Sequence, residues 1–599
     1  MRVMFQDMDL MSQLVHQFQS EDQIISHLAA KSVSACVLYY LQTSGTISPV
    51  WRRTCLQAFH SSLPGTQLDA CLWSLTELLK NLFKGAHQET FGKLLAALDS
   101  GLSSLCAKFL PDDSQEVTQC LVGFPSSRPW GTTFCLLLDL LEVLTASSLT
   151  WGPAACLRSQ RITHTHSSAL LATISGSSEY FVKKRAVLLL KRAVFQKAGE
   201  DWASGEVLLT ELKHEHFRSD MSILARSVLT AVAADWLQAV QVESASFFGG
   251  TRAIRRDGGQ KPDCVMLRSV SLLLLKSAEL HIQTAGGAAG ARSSGTEVYG
   301  YLQSLWSFLR RCSVQLTEVT HRCCWVSLLF GDQDDDMMEA AKASLSIFLH
   351  HRRCSGLDHS AVLEAACASG NNPHCIFLLL LQSISFDHSI LLDFLISTET
   401  CFLEFLVRYL KYLTADWQGF TAACGKISGS DCHLSSQQSS PASCGGDVLT
   451  LTVKGEPRLV QYGSSSESDP EDMEVSQHEQ GTSVYVTGTL SAVDVPQGPI
   501  RHKQCESSHL LLEADSALKG RPEGLSPPVL HSEQTGVNMT AVSGQVSCET
   551  SARAVLCLSQ LREVVTRLQA KKLFPYTPSS LLKLLAQVEN CPLSHFNKT

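Results

Sequence analysis

The chain lacks what catalysis and cofactor binding usually leave in a sequence. None of its Gly-rich stretches ends in the Gly-Lys-Ser/Thr of a phosphate loop. There is no Gly-x-Ser-x-Gly elbow and no His-Glu-x-x-His. Lys213-His-Glu-His216 comes nearest, but its spacing cannot place both imidazoles on one helix face. The 22 cysteines include no Cys-x-x-Cys pair, and the neighbours Cys323 and Cys324 are too close in sequence to bridge readily. In a chain of 599 residues this scatter excludes a small disulfide framework. Cys36, Cys71, Cys135 and Cys401 fall on apolar helical faces, where a reduced thiol behaves as a small hydrophobe. His350, His351, His374 and Cys375 are read as helix-end residues and not as ligands. Asp332-Gln-Asp-Asp-Asp336 lacks the Gly and terminal Glu of a calcium loop, and suits the start of a helix near Met337. The expectation is no catalytic residue, no metal, no cofactor and no enzymatic activity.

Long apolar runs are missing too. Cys375 to Leu381 falls far short of the ~20 residues a membrane span needs. The first ten residues lack the charged start and apolar middle of a signal peptide. A formal net charge of −8 gives no support for broad nucleic-acid binding. These features predict an intracellular chain, cytoplasmic or nuclear, that contacts neither membrane nor nucleic acid directly.

Helical periodicity is abundant. Leu68, Leu72, Leu75, Leu79 and Leu82 recur at three- and four-residue spacing, as do Phe91, Leu94, Leu98, Leu102 and Leu105. Phe134 to Leu144 and Val298 to Leu309 repeat the pattern. Aromatic residues make up only 7%, and leucine dominates, which favours helix-on-helix packing. The fold class is therefore read as all-α. Residues 1–420 form an irregular helical array of HEAT/armadillo α-solenoid type, although no fixed repeat is found. Gly-rich loops interrupt it near 243–263 and 284–296. Between Asp387 and Phe420, Asp387 caps a helix to Ile396, and Ser397 or Thr398 caps the next. Phe402, Phe405, Leu406, Tyr409, Leu410 and Leu413 form the buried face of that second helix. Arg408, Lys411 and Trp417 lie on its other faces or just beyond it, as candidate partner contacts.

Residues 421–550 are rich in Ser, Gly and Pro and read as a disordered linker, with Leu449–Val453 and Val484–Val486 as a possible hairpin. Gln461 to Gln480 carries six acidic residues and no Lys or Arg. Ser464, Ser465, Ser466 and Ser468 sit among them as candidate phosphorylation sites. Residues 551–599 read as a helical hairpin. Leu558, Leu561, Val565 and Leu568 stripe its first helix, and Leu581, Leu584, Leu585 and Val588 its second. Thr577 is the expected cap and Pro578 the first helical residue of that second helix. So short a unit must dock on the chain or on a partner. Phe574, Tyr576 and Leu581 either anchor a partner or staple the hairpin internally. Seven basic residues against two acidic ones give this tail the opposite sign to the linker.

The motif Leu573-Phe-Pro-Tyr-Thr-Pro-Ser-Ser-Leu-Leu-Lys-Leu-Leu585 resembles the C-terminal module of the Lines family. Ser385 to Lys411 resembles the end of the large Lines N-terminal domain, and Leu459-Val-Gln-Tyr-Gly-Ser-Ser-Ser-Glu467 the acidic-serine element between the two. The resemblance implies a regulator linked to Wnt/Wingless-type signalling and developmental patterning. It would act through protein partners, including transcription regulators. The alternative is a structural scaffold subunit of a stable intracellular complex.

Overall fold

The computed structural model describes residues 9–84, 88–111, 128–150, 157–177, 179–196, 215–242, 262–284, 291–312, 319, 321–428 and 539–596. Every regular element longer than a single bridge residue is helical among them. The first helices are α1 Leu10–His16, α2 Gln23–Ser44, α3 Pro49–Ser61, α4 Thr66–Lys84, α5 Gln88–Phe109 and α6 Arg128–Thr150. Next come α7 Arg158–Thr165, α8 Ser167–Gly176, α9 Tyr180–Val194, α10 Glu215–Ala233 and the short α11 Trp236–Ala239. Then follow α12 Cys264–Thr284, α13 Ala291–Cys312, α14 Trp325–Phe330, α15 Asp334–Cys354, α16 His359–Ser369 and α17 Pro373–Ser383. The last are α18 His388–Ile396, α19 Phe402–Ala415, α20 Trp417–Ser428, α21 Met539–Ala570 and α22 Ser579–Phe596.

Local chemistry sets many of these boundaries. Asp22, Asp358, Asn372 and Asp387 each accept a backbone N–H from the first turn of the following helix. Such caps stabilise a helix by about 1 kcal/mol each. Asp334, Asp335 and Asp336 occupy the first turn of α15, where the helix dipole favours negative charge. The apolar stripes then lead each helix to its neighbours. One row runs α2, α4, α6, α9, α12, α15, α19 and α22, each packing on the next. A second row runs α1, α3, α5, α7, α10, α13 and α16, again each on the next. Fully buried Leu72, Leu75, Leu98, Phe134 and Leu141 lie in the shared interior, as their spacing required.

Several expectations move. Helix α12 runs to Thr284 and α13 starts at Ala291, so the 284–296 interruption shrinks; good helix formers at Ala291 and Arg292 outweigh Gly295. No helix starts at Ser397 or Thr398. The Ser397 hydroxyl instead accepts the Glu399 N–H in a tight turn, and α19 begins at Phe402 with Glu404 in its first turn. Helix α20 extends to Ser428 because Ala423, Cys424 and Ile427 continue its buried stripe, and α21 already starts at Met539. Both intrude on the 421–550 linker. Pro578 is the cap of α22, its carbonyl accepting from Leu582 N–H, one residue later than read from Thr577. Helix α2 and the Trp130–Ser148 part of α6 are long and apolar enough by length and composition to cross a membrane, although no continuous apolar run announces them. Ser464 to Ser468 and the two β-like runs lie outside the described residues.

Candidate functional site

The hairpin of α21 and α22 is seated on the carboxyl end of the array. Helix α21 packs on α18 and α20, and α22 on α19. Its docked face is the stripe read from sequence. Leu558, Leu561, Val565, Leu581, Leu585 and Val588 are all buried, while Leu568 is half-buried. Burying a side chain of this kind contributes about 1.5–3 kcal/mol. The Arg562–Glu589 pair across the hairpin, 2.7 Å long and partly exposed, adds at most about 1 kcal/mol. Apolar burial therefore decides the docking. Helix α21 ends with Lys572 in the left-handed region, Leu573 N–H reaching back to the Leu568 carbonyl at 2.9 Å. That turn delivers Phe574 and Tyr576, whose rings meet edge to face at 4.7 Å. The Tyr576 hydroxyl donates to the Leu395 carbonyl at the end of α18 (3.1 Å). Arg553 lies over the Phe386 ring at 4.5 Å, holding the middle of α21 against the α17–α18 corner.

Directly beneath lies a buried polar hub. His374 of α17 is wholly enclosed. The Tyr409 hydroxyl donates to its Nδ1 at 3.1 Å, so Nε2 carries the proton and donates to Asp416 Oδ2 at 3.1 Å. Tyr412 donates to the same oxygen at 2.5 Å. His359 Nε2 and Gly419 N–H supply the other oxygen at 2.6 and 3.1 Å. A side chain at 419 would place its Cβ 2.5 Å from Asp416 Oδ2, which explains glycine there. Burial alone would raise the Asp416 pKa, but the donors from His374, Tyr412 and His359 outweigh it and hold it well below the usual carboxylate range. Burial also pushes His374 down, which keeps its imidazole neutral.

A second network ties three helices of the first row. Lys276 of α12 meets Glu279 at 2.5 Å and Glu339 of α15 at 2.9 Å. Lys342 bridges Glu339 and Glu404 of α19 at 3.2 and 3.0 Å. Burial would lower the Lys276 pKa, but Glu279 and Glu339 outweigh it and raise it. Arg408 completes the network at Glu404, 2.7 Å away.

The structure places the partner candidates in different settings. Leu581 is buried in the hairpin seat, and Phe574 and Tyr576 pack there half-buried. Trp417 is buried because α20 begins at that residue and turns the indole onto Phe420, with centroids 5.2 Å apart. Arg408 is held in the ion-pair network. Lys411 is exposed. The structure also gathers His321, Cys323, Cys367 and Cys375, with one ligand atom from each within 4.8 Å of the others. No short spacing motif marks that cluster, and Cys375, read from sequence as a helix-end residue, is one of its members.

Fold and seat define the class: an all-α helical array closed at its carboxyl end by its own hairpin. The Lines N-terminus family matches residues 74–424 and the Lines C-terminus family residues 554–590. The first of these spans more than half of the chain, and the chain belongs to the Lines family. It is 29% identical over 656 residues to Protein Lines homolog 1 of Homo sapiens, covering 98% of this chain and 83% of the relative. Identity to Protein Lines homolog 1 of Mus musculus is 30% over 643 residues, covering 98% and 82%. Protein lines of Drosophila melanogaster is 29% identical over 175 residues, covering 27% and 20%. No solved structure matches the chain.

Proposed function

We propose that the chain is a non-enzymatic protein-interaction regulator of Wnt/Wingless-type signalling and developmental patterning, as its Lines character implies. The observation that carries this reading is the pair of helical rows. Helices that pack in sequence leave their outer faces as one extended surface, and such arrays typically present that surface to other proteins. The hairpin stripe is buried within the fold, so partner contacts fall on the outer faces of the array and on the acidic-serine stretch around Ser464 to Ser468. The Asp416 hub supports the non-catalytic reading, because its carboxylate acceptors are taken by internal donors. Free thiols throughout the described residues suit a reducing compartment, cytoplasm or nucleus. The partners are signalling or transcription regulators, met without nucleic acid, membrane or cofactor.

Affinity purification of the full chain from cells tests this. Comparison comes from Lys411→Glu and from a fourfold Ser464, Ser465, Ser466 and Ser468 to Ala variant. Loss of a defined partner set at unchanged melting temperature supports the reading. If the full chain recovers no protein above background, the reading is wrong. One observation favours a second reading, that of a scaffold subunit: Ile24, Ile25 and Leu28 on α2 are 70%, 45% and 54% exposed. That reading predicts co-purification at fixed stoichiometry, lost on changing Ile24 and Leu28 to Ser.

A further inference from the structure

Three elements meet at the junction of α14, α16 and α17. A 3-10 turn, Arg322–Cys324, starts beside His321 and carries Cys323. Cys367 lies in the last turn of α16, and Cys375 in the first turn of α17. Between those helices Gly370 adopts φ +76°, and a Cβ there would come within 3.0 Å of Trp325 and 3.2 Å of the Arg322 carbonyl. Trp325 Nε1–H donates to the Gly370 carbonyl at 3.0 Å. The connection between α16 and α17 is thus pressed against the turn that holds Cys323.

We infer that His321, Cys323, Cys367 and Cys375 form a structural zinc site. The geometry fits the ion. Zinc–sulfur bonds of ~2.3 Å in a tetrahedron place two sulfurs ~3.8 Å apart. Cys367 Sγ and Cys375 Sγ are 3.8 Å apart. All four ligand atoms lie within 4.8 Å of one another, which suits one ion. Three thiolates and an imidazole are a soft set that favours zinc over calcium or magnesium. Four protein ligands leave no open position, so the site is structural.

The surroundings suit thiolates. The Asn372 side-chain amide donates to Cys367 Sγ at 3.1 Å, and its backbone N–H donates to Cys323. Donors of this kind orient and stabilise metal-bound sulfur. His321 Nδ1 accepts the Cys323 N–H at 3.3 Å, which ties the imidazole to the turn that carries Cys323. Cysteine thiols that are still protonated release their protons to solvent as zinc binds, so affinity rises with pH. The ion would join residues far apart in sequence and fix the corner between α16 and α17, directly ahead of His374.

The test is the metal content of the full untagged chain, purified from zinc-supplemented cells without chelator. About one zinc per chain is expected, as for a closed structural site. Cys323→Ser and Cys367→Ser should lose it, while exposed Cys264→Ser should keep it. Because those two variants could misfold, cobalt exchange into the unaltered chain gives an independent readout. Thiolate-to-cobalt charge transfer and tetrahedral d–d bands are expected. Zinc well below one per chain together with no cobalt bands would overturn the site. So would a Cys367–Cys375 disulfide in freshly purified protein.

Discussion

The amino-terminal and carboxyl-terminal parts of the array are held together differently. From α2 to α6 the buried side chains among the described residues are apolar or neutral Ser and Thr, with polar contacts such as Trp51 to Ser74 (3.1 Å) and Thr133 to Asp69 (2.5 Å). From α12 to α20 the interior also encloses Lys276, Glu279, Glu339, Lys342, His374 and Asp416. Apolar packing is non-directional and favours association in many registers. A buried carboxylate with four donors is satisfied in one arrangement only. The difference teaches where this fold specifies which helix meets which. The specified part is also the part that seats the hairpin.

The comparison breaks most sharply at Asp416. Asp416→Ala should destabilise the chain by about 3–5 kcal/mol, the usual cost of removing one partner from a buried ionic set. Chemical denaturation measures it, and a loss under about 1 kcal/mol would show that the hub does not order this region. Leu98→Ala, wholly buried in α5, is the matched apolar change, with an expected cost of about 2–5 kcal/mol. The two should differ in kind. Asp416→Ala is expected to release hydrogen-exchange protection in α17 to α22, whereas the effect of Leu98→Ala should stay within α3 to α7. Glu339→Ala leaves the buried lysines Lys276 and Lys342 with one carboxylate each, Glu279 and Glu404, and should cost about 3 kcal/mol.

Acidity separates the two regions by sign. Burial pushes the Asp69 carboxyl up to about 6, although Thr133 donates to it. Its folded pKa lies above the unfolded ~3.9, so its burial costs stability at neutral pH, and that cost is relieved as pH falls from 6 toward 4. Asp416 is depressed, so its contribution is present above pH ~4 and lost as pH falls below that. His374 is also depressed, so its neutral burial loses stability as pH drops below ~6.5. Asp69→Asn should therefore raise the melting temperature at pH 7 and flatten its dependence between pH 6 and 4. Asp416→Asn should lower it at pH 7 by an amount that shrinks below pH 4. The same sign for both variants at pH 7 would contradict the contrast. The smallest effect is expected at Tyr576→Phe, which removes one hydrogen bond to Leu395 at a cost of about 0.5–1.5 kcal/mol.

Periodicity and caps were enough to place the helices with regular stripes, among them α4, α5, α6, α13, α18, α19, α21 and α22. Asp387 caps α18, and the six residues from Phe402 to Leu413 form the buried face of α19, as read. Long-range pairing was not legible. Nothing at Trp417 shows that a turn at Asp416 will bury it, since exposure there depends on where the next helix starts. The same limit hid the seat for Leu581, whose helix α22 packs on both α19 and α21. His-x-Cys at 321–323 and two cysteines eight residues apart at 367 and 375 match no familiar ligand spacing. Their convergence comes from the sharp corner at Gly370, a tertiary property.

The seated hairpin has a topological consequence. Residues 429–538 leave from α20 and return into α21, and those two helices pack on each other. The covalent connection between them is thus redundant with a buried non-covalent one. A protease that cuts anywhere in 429–538 would leave two fragments that stay together, the second acting as a bound ligand of the first. Residues 1–428 expressed alongside 539–599 should reassemble as a split protein, with the intact chain differing mainly in the local concentration of the hairpin.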